Sequence, residues 1–326
     1  MTLQNNKQLI FFVKLILAFG FIYLAIVKLD STNLVQHLQN IEWIYLFYSL
    51  ISIFCATFFS ARRWNCLLNK LGHRISFAYT YILYSKGIAI NSILPGGVVG
   101  GDIFKSISLI SYLKGVNIEQ EKLKARVILS ILIDRLIGFW SLSILSFLAC
   151  LILASQKNLW INTIPPFLIN IYLTFLISVL LAPFILNQLN QFLLMSTLSV
   201  LNSVRQILNL VNKKRLIHST FVYSILVQIF SILSFIFAIR ATGTILDHGL
   251  VFAMAMGVFT VTALPFSVAG FGLREFSMVL IFPLLGQSPE QGFVSSLLFG
   301  LVGTLQGLIN LSFWLVPSGS YTKSLK

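Results

Sequence analysis

Five charged residues lie within or beside long apolar stretches of this sequence, where charged side chains are rare. They are Asp102, Asp134, Arg135, Arg274 and Glu275. Each would cost roughly 2.5–3.5 kcal/mol at the centre of a bilayer, so five isolated charges would offset the whole stability of a typical domain, about 5–15 kcal/mol. The sequence therefore predicts that these residues pair with one another, coordinate a ligand, or lie near the membrane interface.

Arg274 follows Gly270-Phe271-Gly272 and is expected in the first turn of a short helix. The start of a helix presents unpaired N–H groups and the positive pole of the helix dipole. A guanidinium group added at that position favours the binding of a phosphate or a carboxylate. Glu275 is then either the counter-ion of Arg274 or the residue that holds it in position.

The other three charged residues have structural interpretations beside the functional one. Asp102 is placed to cap a helix beginning at Ile103, because an aspartate side chain accepts hydrogen bonds from the free N–H groups there. A role with a substrate or an ion is equally open. Asp134 and Arg135 lie about two turns inside an apolar run, so they mark either a functional site or a membrane interface.

The elements that must position these charges are membrane-spanning helices. Of 326 residues, 57% are hydrophobic and 10% are charged, whereas a soluble globular chain has roughly 25% charged residues. About six apolar runs are long enough to cross a hydrocarbon core of ~30 Å, which needs about 20 helical residues. They cover residues 9–29, 41–61, 127–154, 164–186, 221–239 and 293–316. The sequence predicts an all-α integral membrane protein, with residues 1–326 forming a single transmembrane domain.

Two further apolar stretches are interrupted by proline and glycine. The first break contains Pro95, Gly96, Gly97, Gly100 and Gly101, and the second contains Pro265, Gly270 and Gly272. Proline removes a backbone donor and glycine loosens a helix, and the flanking arms of about 11 to 18 residues are mostly too short to cross a bilayer. We therefore expect two re-entrant helical hairpins. The alternative is that proline and glycine only kink two ordinary helices.

The two breaks resemble each other in sequence. The pattern Leu94-Pro95-x-x-Val98-x-Gly100 recurs, about 170 residues later, as Leu264-Pro265-x-x-Val268-x-Gly270. Three predicted spans separate the two hairpins, so they enter the membrane from opposite faces. Broken helices in opposite orientations indicate a transporter site at the interface of an inverted repeat.

The net charge of +14 is explained by membrane topology and not by binding of nucleic acid. With a cytoplasmic N-terminus, the outer side holds only Lys28, Lys157 and Arg240 as basic residues, and nearly all others outside the apolar runs face inward. This is the positive-inside pattern, which places both termini in the cytoplasm and the protein in the inner cell membrane. Residues 188–212 have one apolar face and precede three basic residues, which predicts a cytoplasmic helix at the membrane interface.

The sequence contains no recognisable pattern for catalysis or for a cofactor. The 4 histidines show no metal-ligand spacing. A P-loop, a Gly-x-Ser-x-Gly elbow and a complete dinucleotide-binding motif are also lacking. We therefore expect neither an enzyme nor a protein with a bound metal or cofactor.

Three motifs together resemble a known family. They are Asn91-x-x-Leu94-Pro95-Gly96-Gly97-x-x-Gly100-Gly101-Asp102, Asp134-Arg135-x-x-Gly138 and Leu264-Pro265-x-Ser267-x-x-Gly270-x-Gly272-x-Arg274-Glu275. In this order they resemble the lysylphosphatidylglycerol synthase transmembrane-region family, also called the flippase-like domain family. Lys105 is a departure, because many members carry an arginine nearby. The C-terminal synthase domain, with which multidomain members transfer an amino acid from tRNA to phosphatidylglycerol, is not found, so lipid aminoacylation is not expected.

The resemblance implies movement of an anionic or modified lipid between membrane leaflets, without ATP hydrolysis by this chain. Anionic phospholipids or polyprenyl phosphates would be its partners. Arg274 and Arg135, the latter beside Asp134, would contact a lipid phosphate, while Asp102 and Glu275 set the local electrostatics or couple to a cation. Neutralising Arg274 should then abolish transport and leave expression intact.

Two other functional classes stay open at the level of sequence. One is a membrane-embedded enzyme or accessory subunit of lipid or lipid-linked glycan metabolism, which would work with a lipid-modifying partner. The other is a small-solute or ion transporter that uses the same broken helices.

Overall fold

The computed structural model describes residues 16, 19–27, 29–70, 75–93, 98–113, 120–155, 173, 176–177, 179, 181, 214–263 and 271–315. Every regular element within these ranges is helical. The α-helices are α1 (Ser31–Gln39), α2 (Trp43–Lys70), α3 (Phe77–Ile93), α4 (Val98–Tyr112), α5 (Gln120–Ser155), α6 (Lys214–Arg240), α7 (His248–Ala263), α8 (Leu273–Leu284) and α9 (Pro289–Asn310). Residues 19–26 are also helical, and a 3₁₀ helix, Leu311–Leu315, follows α9.

Within these ranges, four helical segments are long and apolar enough to cross a membrane. They are Trp43–Lys70, Leu123–Leu151, Ser219–Arg240 and Pro289–Leu315. Each overlaps one of the predicted runs, which indicates a membrane protein whose described part is helical. About half of the predicted run 9–29 and most of the predicted run 164–186 lie outside the described residues, and the predicted interfacial helix at residues 188–212 lies wholly outside them.

Helices α2 and α6 form the most extensive helix–helix contact in the described part of the chain. They are antiparallel, since positions that ascend along α2 meet positions that descend along α6. Near the start of α2, the hydroxyl of Ser49 donates to the carbonyl oxygen of Ser234 over 2.8 Å. Near its end, Nη1 of Arg63 donates to the hydroxyl of Ser224 over 3.0 Å.

Helices α3 and α4, the two arms beside the first break, pack closely through glycine. A Cβ atom at Gly101 would overlap the carbonyl oxygen of Gly87, so only glycine allows this approach. The side chain of Asn91 also accepts a hydrogen bond from the N–H of Gly101 over 2.6 Å. That bond satisfies one of the N–H groups in the first turn of α4, which have no partner inside the helix.

The long helices α5 and α9 each contact arms from both broken stretches. Helix α5 packs against α4 and α7, while α9 packs against α8 and α3. At the α5–α7 contact, the hydroxyls of Ser146 and Thr260 are 2.8 Å apart. At the α9–α3 contact, a Cβ atom at Gly307 would overlap the hydroxyl of Ser92. The two broken stretches are therefore joined through α5 and α9.

The two largest apolar clusters of the described part lie between these helices. One lies among α2, α3, α4 and α5 and includes Trp64, Leu109 and Val127. The other lies among α5, α6, α7 and α8, with α9 packed at its edge, and includes Phe235 and Met256. The charged residues predicted from the sequence are set beside these apolar clusters, where an unpaired charge is unfavourable.

Helix α4, which follows the first break, starts earlier than the sequence predicts. Pro95, Gly96 and Gly97 lie outside the described residues, but α4 begins at Val98, so Gly100 and Gly101 are already helical. The predicted helix start at Ile103 is therefore wrong, and Asp102 lies in the second turn of α4 instead of capping it. Close packing of α3 against Gly101 and the hydrogen bond that the N–H of Gly101 donates to Asn91 hold this glycine in the helix.

The second break agrees with the prediction in its described part. Pro265 and Gly270 lie outside the described residues. Gly272 immediately precedes α8 and has a φ angle of 87°, a conformation that favours glycine. Arg274 consequently lies in the first turn of α8, as the sequence predicted.

Candidate functional site

The structure separates the predicted charged residues into two groups. Asp102, Asp134 and Arg135 meet where α4 and α5 approach α2, and Arg274 and Glu275 lie where α8 contacts α9. The first group also includes Arg63, which the sequence places only among the inward-facing basic residues, and Lys105, which the sequence marks only as a departure from the family pattern. We refer to Arg63, Asp102, Lys105, Asp134 and Arg135 as the five-charge cluster.

Arg63 and Asp134 form a buried ion pair between α2 and α5. Nε and Nη2 of Arg63 donate to the two carboxylate oxygens of Asp134 over 2.7 and 3.1 Å. The third guanidinium nitrogen donates to Ser224 on α6, so this pair also ties α6 to the other two helices. Gly138 leaves room for it, since a Cβ atom there would lie 3.1 Å from Nη1 of Arg63. Both side chains are buried and their charges cancel, which makes the pair a structural connection.

Asp102 is the second carboxylate of the cluster, and it contacts two cations. Nε and Nη2 of Arg135, from α5, donate to its two oxygens, each over 2.9 Å. Nζ of Lys105, one turn further along α4, lies 2.7 Å from Oδ1. Asp102 therefore holds α4 and α5 together while it shares its single negative charge between two positive groups.

The five-charge cluster carries one more positive charge than negative charge. Three basic residues share two carboxylates, and the pair of Arg63 and Asp134 is neutral by itself. The excess therefore belongs to Asp102, Lys105 and Arg135. The side chain of Lys105 is 4% exposed, whereas that of Arg135 is 42% exposed. The excess positive charge is therefore accessible through the side chain of Arg135 and not through that of Lys105.

Arg274 and Glu275 form a buried pair at the start of α8. Nη2 of Arg274 lies 2.7 Å from Oε1 of Glu275. The hydroxyl of Ser296 on α9 accepts from Nε of Arg274 and donates to the same carboxylate oxygen, each over 3.0 Å. The other oxygen of Glu275 accepts from the N–H of Gly272 over 2.6 Å and so caps α8. Glu275 is thus the counter-ion of Arg274, and in addition it caps α8, a role that the sequence did not predict.

The guanidinium of Arg274 is enclosed by aromatic rings as well as paired. Its Cζ atom lies 5.1 Å from the ring centroid of Phe271 and 5.3 Å from that of Phe299. A Cβ atom at Gly300 would overlap Nη2, so glycine is needed beside it. Among the two arginines predicted to contact a phosphate, Arg274 is therefore neutralised and buried, and Arg135 is the accessible one.

Arg63 is not among the site residues predicted from the sequence, because the predicted apolar run ends at Ala61. Arg62 and Arg63 directly after that run have the pattern of two cytoplasmic charges. Helix α2 instead continues to Lys70, which places Arg63 about two turns before its end. The signal in the sequence was the apolar segment after it, from Trp64 to Leu68. For Lys105 the sequence contains a weaker indication. It lies three residues after Asp102 on one helix, a spacing at which two side chains can form an ion pair.

One comparison with known proteins confirms the family that the three motifs resemble. The family model for the lysylphosphatidylglycerol synthase TM region matches residues 11–309. That range includes every member of the five-charge cluster and the pair of Arg274 and Glu275. No curated protein matches the sequence.

Proposed function

The chain belongs to the lysylphosphatidylglycerol synthase transmembrane-region family, and from that premise we propose that it moves anionic or modified lipids between the two leaflets of a membrane. The observation that carries the proposal is the excess positive charge of the five-charge cluster, which lies inside a helical membrane body and reaches the surface at Arg135. An uncompensated charge in such surroundings is costly, and an anionic headgroup would neutralise it.

We propose that Arg135 is the residue that contacts the lipid phosphate. A guanidinium binds phosphate oxygens through charge-assisted hydrogen bonds. In the structure, Nε and Nη2 of Arg135 are engaged by Asp102, so an incoming phosphate competes with that carboxylate. Such competition keeps the complex weak enough to release the lipid on the other side, as transport requires.

We further propose that the protein is built as an inverted repeat. Helices α2 and α3 start and end about 170 residues before α6 and α7. In this repeat α3 corresponds to α7 and α5 corresponds to α9. The contacts agree with that correspondence, because α5 packs on α7 and α9 packs on α3. The corresponding helices α2 and α6 are antiparallel, which supports halves of opposite orientation. In this proposal α3–α4 and α7–α8 are re-entrant hairpins among about six spans, and the halves alternate the access of one site.

The proposed orientation places the five-charge cluster towards the cytoplasm. With a cytoplasmic N-terminus in the inner cell membrane, α2 runs inward, and Arg63 lies about 10 Å from its inner end at 1.5 Å per residue. Ser296, the α9 partner of Arg274, lies about 10 Å from the outer end of α9 by the same count. A lipid from the inner leaflet would meet Arg135 first. We propose that it is moved without covalent modification.

A leaflet-resolved assay tests this function. Purified protein is reconstituted into liposomes with fluorescent phosphatidylglycerol, and a membrane-impermeant quencher reports the rate at which lipid crosses. Arg135→Gln should lower that rate at least about tenfold, because one charge-assisted phosphate contact contributes roughly 1.5–3 kcal/mol. Arg62→Gln is the matched control, since Arg62 is an exposed arginine that packs on Phe77 outside the cluster.

The wild-type result decides between functional classes. Movement of phosphatidylglycerol by wild type and by Arg62→Gln, but not by Arg135→Gln, supports the proposed site. If folded wild type moves neither phosphatidylglycerol nor a polyprenyl phosphate, the proposal is wrong, and an accessory role beside a lipid-modifying enzyme becomes the better hypothesis. Uptake of a small solute without lipid movement would favour a solute transporter.

A further inference from the structure

Lys105 has a buried ammonium group that lies in a cage of two aromatic rings and one carboxylate. Nζ lies 4.3 Å from the ring centroid of Tyr84, 5.1 Å from that of Trp64 and 2.7 Å from Oδ1 of Asp102. Ring faces attract cations through their quadrupoles, and an aromatic cage is a recurring way to bind an ammonium group of a ligand. Here the bound ammonium belongs to the protein itself.

The cage and the route into it are built by neighbouring residues. Trp64 is buried and held in place by a hydrogen bond of 3.1 Å from its ring N–H to Ser130. The stem of Lys105 crosses Gly87, where a Cβ atom would lie 3.1 Å from its Cγ atom. Asp102 forms one wall of the cage and also contacts Arg135, so the cage directly adjoins the proposed phosphate site.

We propose that Lys105 determines which headgroups the protein accepts. Its ammonium fills the position in which the amine of a zwitterionic headgroup would lie when the phosphate of that headgroup contacts Arg135. Lys105 also supplies the excess positive charge, because Asp102 and Arg135 alone are neutral. The substrate is therefore a phosphate lipid without an amine in its headgroup, such as one with a glycerol headgroup. This inference rests on the proposed function.

Two substitutions separate the volume of Lys105 from its charge. Lys105→Ala removes the charge and opens the cage, whereas Lys105→Met removes the charge and leaves the cage filled by a flexible apolar side chain. Both are compared with wild type in liposomes that carry fluorescent phosphatidylglycerol or fluorescent phosphatidylethanolamine. The measured quantities are the two translocation rates, each by itself, and their ratio.

Wild type should move phosphatidylglycerol at least about tenfold faster than phosphatidylethanolamine, given the strength of an ammonium contact in a desolvated cage. Lys105→Ala should shift this ratio at least about tenfold towards phosphatidylethanolamine. Lys105→Met should slow phosphatidylglycerol without accelerating phosphatidylethanolamine. A phosphatidylethanolamine rate in Lys105→Ala that stays at the wild-type value overturns the inference, and so does an equal acceleration of phosphatidylethanolamine in Lys105→Met.

A second measurement tests the cage without any transport. The thermal unfolding midpoint of each detergent-solubilised protein is recorded in methylammonium chloride and in sodium chloride of equal concentration. Methylammonium should raise the midpoint of Lys105→Ala, because a ligand that binds only the folded state stabilises it, and should leave wild type and Lys105→Met unchanged. No such rise means that the cage does not bind ammonium and overturns the inference.

The two measurements also distinguish this inference from the proposed function. If wild type moves no lipid, the proposed function fails, while the methylammonium result still reports on the cage. If wild type moves phosphatidylglycerol and Lys105→Ala keeps the wild-type ratio, the function stands and the selectivity role of Lys105 is wrong. Stabilisation by methylammonium with an unchanged ratio would likewise mean that Lys105 does not determine selectivity.

Discussion

Arg63 and Arg135 each pair with an aspartate, but they differ in the charge that is left for a ligand. Arg63 shares its carboxylate with no other cation among the described residues, and its third nitrogen donates to Ser224. Arg135 shares Asp102 with Lys105 and keeps 42% of its side chain exposed. The same residue type therefore connects helices at one position and presents positive charge at the other, and the difference comes from the number of cations that share each carboxylate.

Arg274, like Arg63, is buried and paired with one carboxylate. Its substitution should therefore lower the stability of the protein, whereas the sequence alone predicts a loss of transport with expression intact. Arg274→Gln leaves the carboxylate of Glu275 buried without a counter-ion. Loss of one partner of a buried pair costs about 3–5 kcal/mol. We expect the variant to unfold at a distinctly lower temperature or denaturant concentration than wild type, as measured on protein in detergent. Loss of transport in this variant would follow from loss of structure.

A double variant provides the control for Arg274. Arg274→Met with Glu275→Gln removes both charges, and glutamine at this position can still cap the helix by accepting from the N–H of Gly272. Replacing a buried pair by uncharged groups of similar volume is often close to neutral. The double variant should therefore recover most of the stability. Wild-type stability in the single variant would show that Glu275 does not depend on Arg274.

The sequence predicts which charged residues form the two groups better than it predicts how these residues pair. Charges inside apolar runs are conspicuous, so Asp102, Asp134 and Arg135 could be selected without a structure. Which charges pair depends on how helices far apart in the chain meet, and Arg63 contacts Asp134 across 71 positions. Hydropathy along one chain segment contains no information about such a contact.

At the scale of helices, glycine sets how closely the arms of the first broken stretch approach. Gly101→Ala would place a methyl group against the carbonyl oxygen of Gly87 and the side chain of Asn91. These atoms belong to packed helices, so the arms must move apart, and overpacking of this kind costs typically 1–3 kcal/mol. We expect a loss of stability in detergent and slower lipid movement, because separation of α3 from α4 displaces Asp102 and Lys105.

Gly303→Ala is the matched control for that substitution. Gly303 is also inside a helix, α9, and a Cβ atom there would meet nothing within 4 Å. Alanine favours the helix over glycine by roughly 0.5–1 kcal/mol, so this variant should be as stable as wild type or slightly more stable. Equal losses in both variants would mean that the close approach at Gly101 has no special importance.

The limits of sequence-based prediction are also visible at the scale of helices. Four of the long apolar runs coincide with helices that are long and apolar enough to cross a membrane, because length and hydropathy are properties of each segment alone. The start of α4 was predicted too late, at Ile103, because two consecutive glycines usually weaken a helix. In the structure, contacts with Gly87 and Asn91 override that local preference. Tertiary contacts of this kind are not encoded in the local sequence pattern.

At the scale of the whole molecule, the distribution of basic residues predicts the orientation of the protein in the membrane, whereas the contacts between helices do not. An inverted repeat has similar packing whichever end faces the cytoplasm, whereas the excess of lysine and arginine is retained on one side during insertion. In the proposed orientation the two ends of α2 lie on opposite sides of the membrane. Asn40 lies just before this helix, and Lys70 is its last residue; both are exposed.

Single cysteines at these two positions test the orientation in cells. Cys55, Cys66 and Cys150, the native free cysteines, are first replaced by serine or alanine. In this background, a membrane-impermeant maleimide should label Asn40→Cys in intact cells and Lys70→Cys only after permeabilisation. The reverse pattern would place the five-charge cluster towards the outer leaflet, so that lipid would first meet Arg135 from outside. Labelling of both positions in intact cells would mean that α2 does not cross the membrane, which would contradict the span on which the orientation of the cluster depends.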